Sequence, residues 1–332
     1  MSTKKRILSG MQPTGGGKLH IGNLEGALRP WVKLQDEYEM FCFIADWHSL
    51  TTIAESRTDI AEASRQTAID YLSAGLDPEK CAIFRQSDVK EHAELHLLLS
   101  MVTPVTWLER VPTYKDKRAL VKENDLQVSY GLLGYPVLQT ADIVLYRAHL
   151  VPVGKDQAAH IEISRDIARR FNLLSGAQVF PEPEALISEF TGELPGMDGR
   201  KMSKSYNNAI YISDTPKQTQ KKINSAFTTE TKIHITDAGI PETCVACKLR
   251  RVYDPEHYTT QWDECRAGAR GCGQSKKEVA EIINANLEPV RARRAELEAD
   301  PGYVEKVLAD GAERARAAAV ETMTLVRKAL NL

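Results

Sequence analysis

At 332 residues the chain is long enough for one large domain or, more naturally, two. With 27% charged and 42% hydrophobic residues it has a globular balance, which excludes the disordered and fibrous classes. A net charge of −2 excludes a surface that attracts nucleic acid everywhere, so any RNA contact has to come from a local cluster of Lys and Arg.

The opening Met1-Ser2-Thr3-Lys4-Lys5-Arg6 is basic, but only Ile7-Leu8 follow before Ser9-Gly10, too short an apolar run for a signal peptide. No run of about 18 apolar residues occurs, so a cytoplasmic protein without membrane contact is expected. Residues 6–9 read as a first strand, followed by a glycine-rich turn. Residues 23–35 carry Leu24, Leu28, Trp31 and Leu34 at helical spacing. Met-Phe-Cys-Phe-Ile-Ala at 40–45 is a continuous apolar run, as expected of a buried parallel strand. An amphipathic helix over 58–75 and a strand at 81–85 complete the alternation of a Rossmann-like half. Between about 100 and 150 the pattern turns helical, with Trp107, Tyr114, Tyr130 and Tyr135, and reads as an insertion. A helix is expected over 156–171, with Ile161, Ile167, Ala168 and Phe171 on its apolar side, and Pro181-Glu182-Pro183 closes that section. From Asp214 the chain reads as helical, ending in a surface helix over 304–330. The expected class is therefore α/β: a parallel-sheet nucleotide domain over 1–210 with a helical insertion, then an all-helical domain over 211–332.

Two motifs carry the chemistry. Gly10-Met11-Gln12-Pro13-Thr14, a glycine run and His20-Ile21-Gly22-Asn23 lie at the end of the first strand, and Lys201-Met202-Ser203-Lys204-Ser205 lies about 180 residues later. The pair resembles the two ATP-binding signatures of class I aminoacyl-tRNA synthetases. The resemblance runs from Ile7 to the last helix and is most specific through residue 210.

Such enzymes join a carboxylate to the α-phosphate of ATP, with Mg²⁺, and expel diphosphate. Transfer of this kind rests on positioning and charge neutralisation more than on a protein nucleophile. Glycines let the backbone approach a nucleotide, and a helix starting near Gly22-Asn23 directs N–H groups at phosphate. His20 and Asn23 can donate to the same oxygens, while Lys201 and Lys204 are flexible point charges suited to phosphates that change geometry. Gly196 and Gly199 suit a loop that closes in the transition state. His20, Asn23, Lys201 and Lys204 are the expected catalytic residues. Gln12, Pro13, Thr14, Gly22, Gly154, Lys155, Asp156, Leu194, Met202, Ser203 and Ser205 are expected to join them around ATP.

Gly134-Tyr135-Pro136-Val137-Leu138-Gln139-Thr140-Ala141-Asp142-Ile143 resembles the pocket segment shared by the tryptophan and tyrosine members. The run from Val151 through Gly154-Lys155-Asp156-Gln157 to His160-Ile161-Glu162 is similar to the tryptophan branch. That resemblance implies activation of L-tryptophan to tryptophanyl-adenylate and its transfer to tRNA(Trp), with release of AMP and diphosphate. Tyr135, Gln139, Asp142 and Gln157 are the implied tryptophan contacts. Asp142 makes physical sense there, since an indole nitrogen only donates and a buried acceptor can fix it. A tyrosine enzyme and a regulatory paralogue with weak aminoacylation are the competing readings.

Three departures from the family pattern stand out: Gly15-Gly16-Gly17 is two residues longer than usual, Lys155 stands where an acidic residue is general, and the cysteines are rearranged. Some members hold a four-iron, four-sulfur cluster through a final Cys-x6-Cys-x2-Cys. Here Cys265 and Cys272 match its first two positions, Ser275 stands at the third, and Cys244 and Cys247 lie upstream. These four thiols suit a cluster, zinc, or metal-free packing. A homodimer through the apolar insertion segments 101–108 and 132–137 is also expected, as is a basic face after residue 215 that grips tRNA.

Overall fold

Five short apolar runs supply the strands of one parallel sheet: β1 (Arg6–Met11), β2 (Glu39–Ile44), β3 (Cys81–Arg85), β4 (Leu150–Val153) and β5 (Glu184–Ile187). Their order is β3-β2-β1-β4-β5, so the chain winds outward from β1 in one direction and then from β4 in the other. The C-terminal ends of β1 and β4 therefore flank the switch point of a doubly wound sheet, where such folds bind ligands. The structure is a computed structural model and describes residues 4–53, 59–123, 127–187, 194–204 and 206–332; the side chain of Asp156 and all of Ser205 lie outside it.

The helices that position the site are α1 (Asp46–Ile53), α2 (Ile60–Ser73), α3 (Glu91–Ser100), α4 (Tyr130–Leu145) and α5 (Ala158–Ser175). Further along come α6 (Pro216–Asn224), α7 (Val245–Tyr253), α8 (Tyr258–Arg266), α9 (Cys272–Ala299) and α10 (Pro301–Leu330). The chain divides into two compact units, one of residues 1–17, 27–189 and 300–332, the other of 18–26 and 190–299. The first is built on a core in which Leu8, Phe41, Phe84, Val137, Ile161 and Phe171 are almost wholly buried.

Several elements differ from the sequence expectation. β1 runs two residues further, and β4 and β5 were not anticipated. The first helical stretch begins at Ile21 and passes through a π-turn at Leu24–Leu28 before Arg29–Leu34. The last helix is, as expected, a surface helix with an apolar face, and that face lies not on the preceding helical segment but on β3, with further contacts to α2, α3 and α4. It buries Val304, Leu308, Ala312, Ala315, Ala319, Met323 and Val326. At Gly311 it approaches so closely that a Cβ would collide with the Ile83 carbonyl.

Candidate active site

The first motif is split between the units. Gln12, Pro13 and Thr14 follow β1, and Gly154 and Lys155 follow β4, so both segments lie at the C-terminal edge of the sheet beside the switch point. Gly154 and Lys155 are exposed and Pro13 is buried. The glycine run Gly15-Gly16-Gly17 in this turn takes left-handed backbone angles throughout, with φ of +60°, +69° and +76°. A Cβ at Gly17 would strike the Ala63 carbonyl of α2, and the Thr67 hydroxyl donates to the Gly17 carbonyl at 3.0 Å. The turn is thus fastened to α2.

His20, Gly22 and Asn23 belong to the other unit, together with Leu194 and the Lys201–Lys204 segment. Ile21 N–H donates to the Ile210 carbonyl and Ile212 N–H to the Leu19 carbonyl, both at 2.9 Å, and His20 bridges to Tyr211. The segment around His20 is thus bound by backbone pairing to residues 210–212, a few residues beyond the second motif. His20 caps the helix start: its Nδ1 accepts from Asn23 N–H at 3.2 Å, while Asn23 Oδ1 accepts from His20 N–H at 3.0 Å. A Cβ at Gly22 would come within 2.9 Å of His20 Nδ1, which is why glycine stands there. Burial and then the charge of Lys204 bring the His20 pKa down to about 4. The imidazole is therefore neutral at pH 7, and with Nδ1 accepting, Nε2 carries the proton as a donor.

Around the second motif the chain folds back on itself through the bridge of Pro195 with Lys201, and Met202 N–H donates to the Leu194 carbonyl at 3.1 Å. Met202 is buried and Lys201 is exposed. The organising side chain is Asn208, which sequence reasoning missed. Its Oδ1 accepts from Ser203 N–H at 2.8 Å, and its Nδ2 donates to Asp198 Oδ1 at 2.8 Å and to the Lys201 carbonyl at 3.1 Å.

Tyr135, Gln139 and Asp142 share α4, with Tyr135 and Asp142 buried and Gln139 half-buried. The Tyr135 hydroxyl meets His160 Nε2 of α5 at 2.9 Å, and Gln157 lies just before that helix. Asp142 is 1% exposed. It accepts from His48 Nε2 at 2.7 Å, His92 Nδ1 at 2.7 Å and Gln86 Nε2 at 2.8 Å. Burial alone would raise its pKa, but His48 and His92 outweigh that and hold the carboxyl below its ordinary value. No spacing rule links His48, Gln86 and His92 to Asp142, so the sequence carried no signal for them.

The four cysteines, open in sequence between a metal centre and metal-free packing, lie near one another. Cys244, Cys247 and Cys265 are buried and joined by thiol hydrogen bonds, while Cys272 is half-buried at the start of α9. Among the described residues no three His, Cys, Asp or Glu side chains are arranged to hold a metal ion. The hydrogen bond from Cys247, together with N–H groups at the start of α7, lowers the Cys244 pKa to about 6, and its partner Cys247 is raised. In this arrangement the thiols pack against one another, which is the metal-free alternative among the three.

The basic residues after 215 divide sharply. Arg250 pairs with Asp254 and Glu278, Arg270 with Glu264 and Glu278, and Arg266 with Glu242 and Asp263. Arg294 is buried against Glu298, and Lys222 binds Asp214. Lys217, Lys221 and Arg251 remain exposed. Among the described residues no helix is long and apolar enough to cross a membrane.

Comparison with known proteins agrees with this geometry. The family model described as tRNA synthetases class I (W and Y) matches residues 2–288. A tryptophan–tRNA ligase of Thermotoga maritima is 47% identical over 330 residues, covering 98% of this chain and 99% of its own. That of Aquifex aeolicus is 41% identical, covering 98% and 100%. The crystal structure of tryptophanyl-tRNA synthetase from Campylobacter jejuni, complexed with ADP and tryptophan, superposes with a TM-score of 0.86 at 38% identity and covers 98% of this chain and all of its own. With a family model spanning most of its length and relatives matched end to end, the chain belongs to the class I tRNA synthetases of the tryptophan and tyrosine group.

Proposed function

We propose that the chain is a tryptophan–tRNA ligase that activates L-tryptophan with ATP and transfers it to tRNA(Trp). The observation that carries the choice of amino acid is Asp142, a buried carboxylate held ionised on the helix that also presents Tyr135 and Gln139. A ligand lacking an N–H would leave that carboxylate underused, which is how a polar site rejects an apolar analogue. The relatives matched along their whole length are named for the same activity.

In the first step a tryptophan carboxylate oxygen attacks the α-phosphorus, the bond to the β-phosphate breaks, and diphosphate leaves. ATP enters as its Mg²⁺ complex. Lys201 and Lys204 offset the charge that builds on the leaving diphosphate, and neutral His20 donates through Nε2. Asn23 has its Oδ1 engaged by His20, which leaves its amide hydrogens for phosphate. Gln12, Thr14 and Gly154–Gln157, at the switch point, are the proposed seat of the nucleotide. In the second step a terminal tRNA hydroxyl attacks the acyl carbon and AMP leaves.

Residues 211–332 were expected as the tRNA-binding domain; we assign that role to the unit of 190–299, with Lys217, Lys221, Lys248 and Arg251 as phosphate contacts. The working place is the cytoplasm. The working form is a homodimer built on exposed Leu97, Met101, Val105 and Leu173 around a cleft of about 730 Å³ beside Trp107. Leu132 and Val137, counted earlier toward that interface, are buried within the subunit.

Pyrophosphate exchange into ATP, run separately with tryptophan, tyrosine and phenylalanine, tests the reading. Exchange with tryptophan alone is expected, and equal exchange with tyrosine would overturn the assignment. Sedimentation at micromolar concentration is expected to give a dimer.

A further inference from the structure

Three donors already occupy Asp142. A carboxylate offers about four lone-pair sites, two on each oxygen. On Oδ1 both are filled, by Gln86 and His92, and on Oδ2 one is filled, by His48. Counted among the described residues, one site therefore remains, on Oδ2. His92 is itself wholly buried, and its other nitrogen, Nε2, meets the hydroxyl of Tyr146 at 2.7 Å. Tyr146 is also wholly buried.

A carboxylate only accepts, so His92 Nδ1 must carry a hydrogen. Tyr146 has a hydroxyl hydrogen to place, and a buried O–H without an acceptor costs roughly 1–3 kcal/mol. The acceptor is His92 Nε2, which must then be bare. The tautomer with its proton on Nδ1 is the one in which the phenol can donate to the opposite nitrogen while the ring donates to Asp142. The imidazole is wedged among Phe43, Phe84 and Tyr146, with ring centroids 6.1, 6.3 and 5.4 Å away, so it has no room to turn over.

We infer that His92, with its tautomer set by Tyr146, is a positioning residue for specificity: it fills the second site on Asp142 Oδ1 and leaves one acceptor site, on Oδ2, for the single N–H of the substrate. The inference rests on the tryptophan reading and deepens it. Asp142 makes the contact, and His92 fixes which oxygen makes it and how many donors it can take. Without His92 a second site opens on Oδ1, and the carboxylate is free to rotate or to take water. Selectivity against a ligand without the N–H then falls, because the unfilled acceptor no longer has to go unpaired.

Four proteins test this: the wild type, His92→Leu, His92→Asn and Tyr146→Phe. Asn places an amide N–H where Nδ1–H stands, whereas Leu supplies no donor. The assay is amino-acid-dependent pyrophosphate exchange with tryptophan and with its benzothiophene analogue, in which sulfur replaces the indole N–H. For His92→Leu the tryptophan KM is expected to rise at least about tenfold, more than kcat falls, and the preference over the analogue to drop about tenfold or more. His92→Asn is expected to restore that preference to within about threefold of the wild type. An unchanged preference in His92→Leu, or an Asn variant no better than Leu, overturns the inference. If His92→Leu does not fold, Tyr146→Phe and His92→Asn decide, since a purely structural role moves stability without moving the preference.

A second readout needs no activity. Nitrogen NMR of ¹⁵N-histidine protein at neutral pH, with His92 assigned by its loss in His92→Asn, is expected to show a neutral ring protonated at Nδ1. A ring protonated at Nε2 or at both nitrogens overturns the inference. Should the wild type show no tryptophan-dependent exchange, the functional reading fails while this measurement still judges the tautomer.

Discussion

Replacing Asn208 by alanine removes three hydrogen bonds from beneath the lysine loop, those with Ser203 N–H, Asp198 and the Lys201 carbonyl. At about 1 kcal/mol for each bond to backbone and about 2 for the one to a carboxylate, the gross loss is roughly 4 kcal/mol. Water recovers part of it, since the Asp198 side chain is 33% exposed. Taking about half as recovered leaves about 2 kcal/mol, or roughly thirtyfold in rate if the ordered loop is needed in the transition state. The assay is tryptophan-dependent pyrophosphate exchange at saturating ATP, with circular dichroism to show that the fold is kept. The loss should fall on kcat, because loop order matters most when charge moves onto the leaving group. Exchange within about threefold of the wild type would show that Asn208 does not hold the loop in its working form.

Lys204→Ala is expected to lower kcat far more than it raises the tryptophan KM, and an effect confined to KM would make the lysine a ground-state contact only. Glu278 offers a stability test. Burial would raise its pKa, but hydrogen bonds from Arg270, Gln274 and Arg250 bring it down to about 2. A depressed carboxyl stabilises the fold above its ordinary value of 4.5 and loses that contribution as pH falls toward about 2. Glu278→Gln should therefore unfold at lower temperature at neutral pH and show a flatter acid dependence over that window. Charge reversal at Lys248 and Arg251, which avoids the ion-paired Arg250, should raise the tRNA KM and flatten its salt dependence while leaving tryptophan activation untouched. Unchanged charging across salt would place the RNA elsewhere.

How much of this was legible in the sequence depended on what each segment packs against. Runs such as Met40 to Ile44 announce a strand because both sides are buried. β4 contains Pro152 and β5 is a four-residue edge strand just after Pro183, so neither shows a pattern different from a loop. The helix over 304–330 was visible from composition, yet its small buried residues, Gly311, Ala312, Ala315 and Ala319, give no hint that their target is β3. Within the site, motif pairing pointed to His20 and Lys204, and the charge of Lys204 is felt at His20. It also pointed to Asp142. It could not find His48, Gln86 and His92, which stand 94, 56 and 50 residues from Asp142 and meet it only through the fold. The cysteine spacing left its alternatives open for a related reason: it limits which thiols can meet but not whether they bond to one another or to a metal.

The placement of α10 on β3 has a temporal side. β3 is made early, and the helix that packs on it is made only after α9. At about 5–20 residues per second, the stretch between Arg85 and Pro301 takes roughly ten to forty seconds to synthesise. Throughout that interval Ile83 and its neighbours lack their final cover, and the sheet cannot close its core. The nascent chain thus carries an apolar surface until α10 is made. A ribosome that stalls after α9 leaves a polypeptide with all five strands and without the helix that covers β3. Loss of α10 is in this sense a lesion of the N-terminal half.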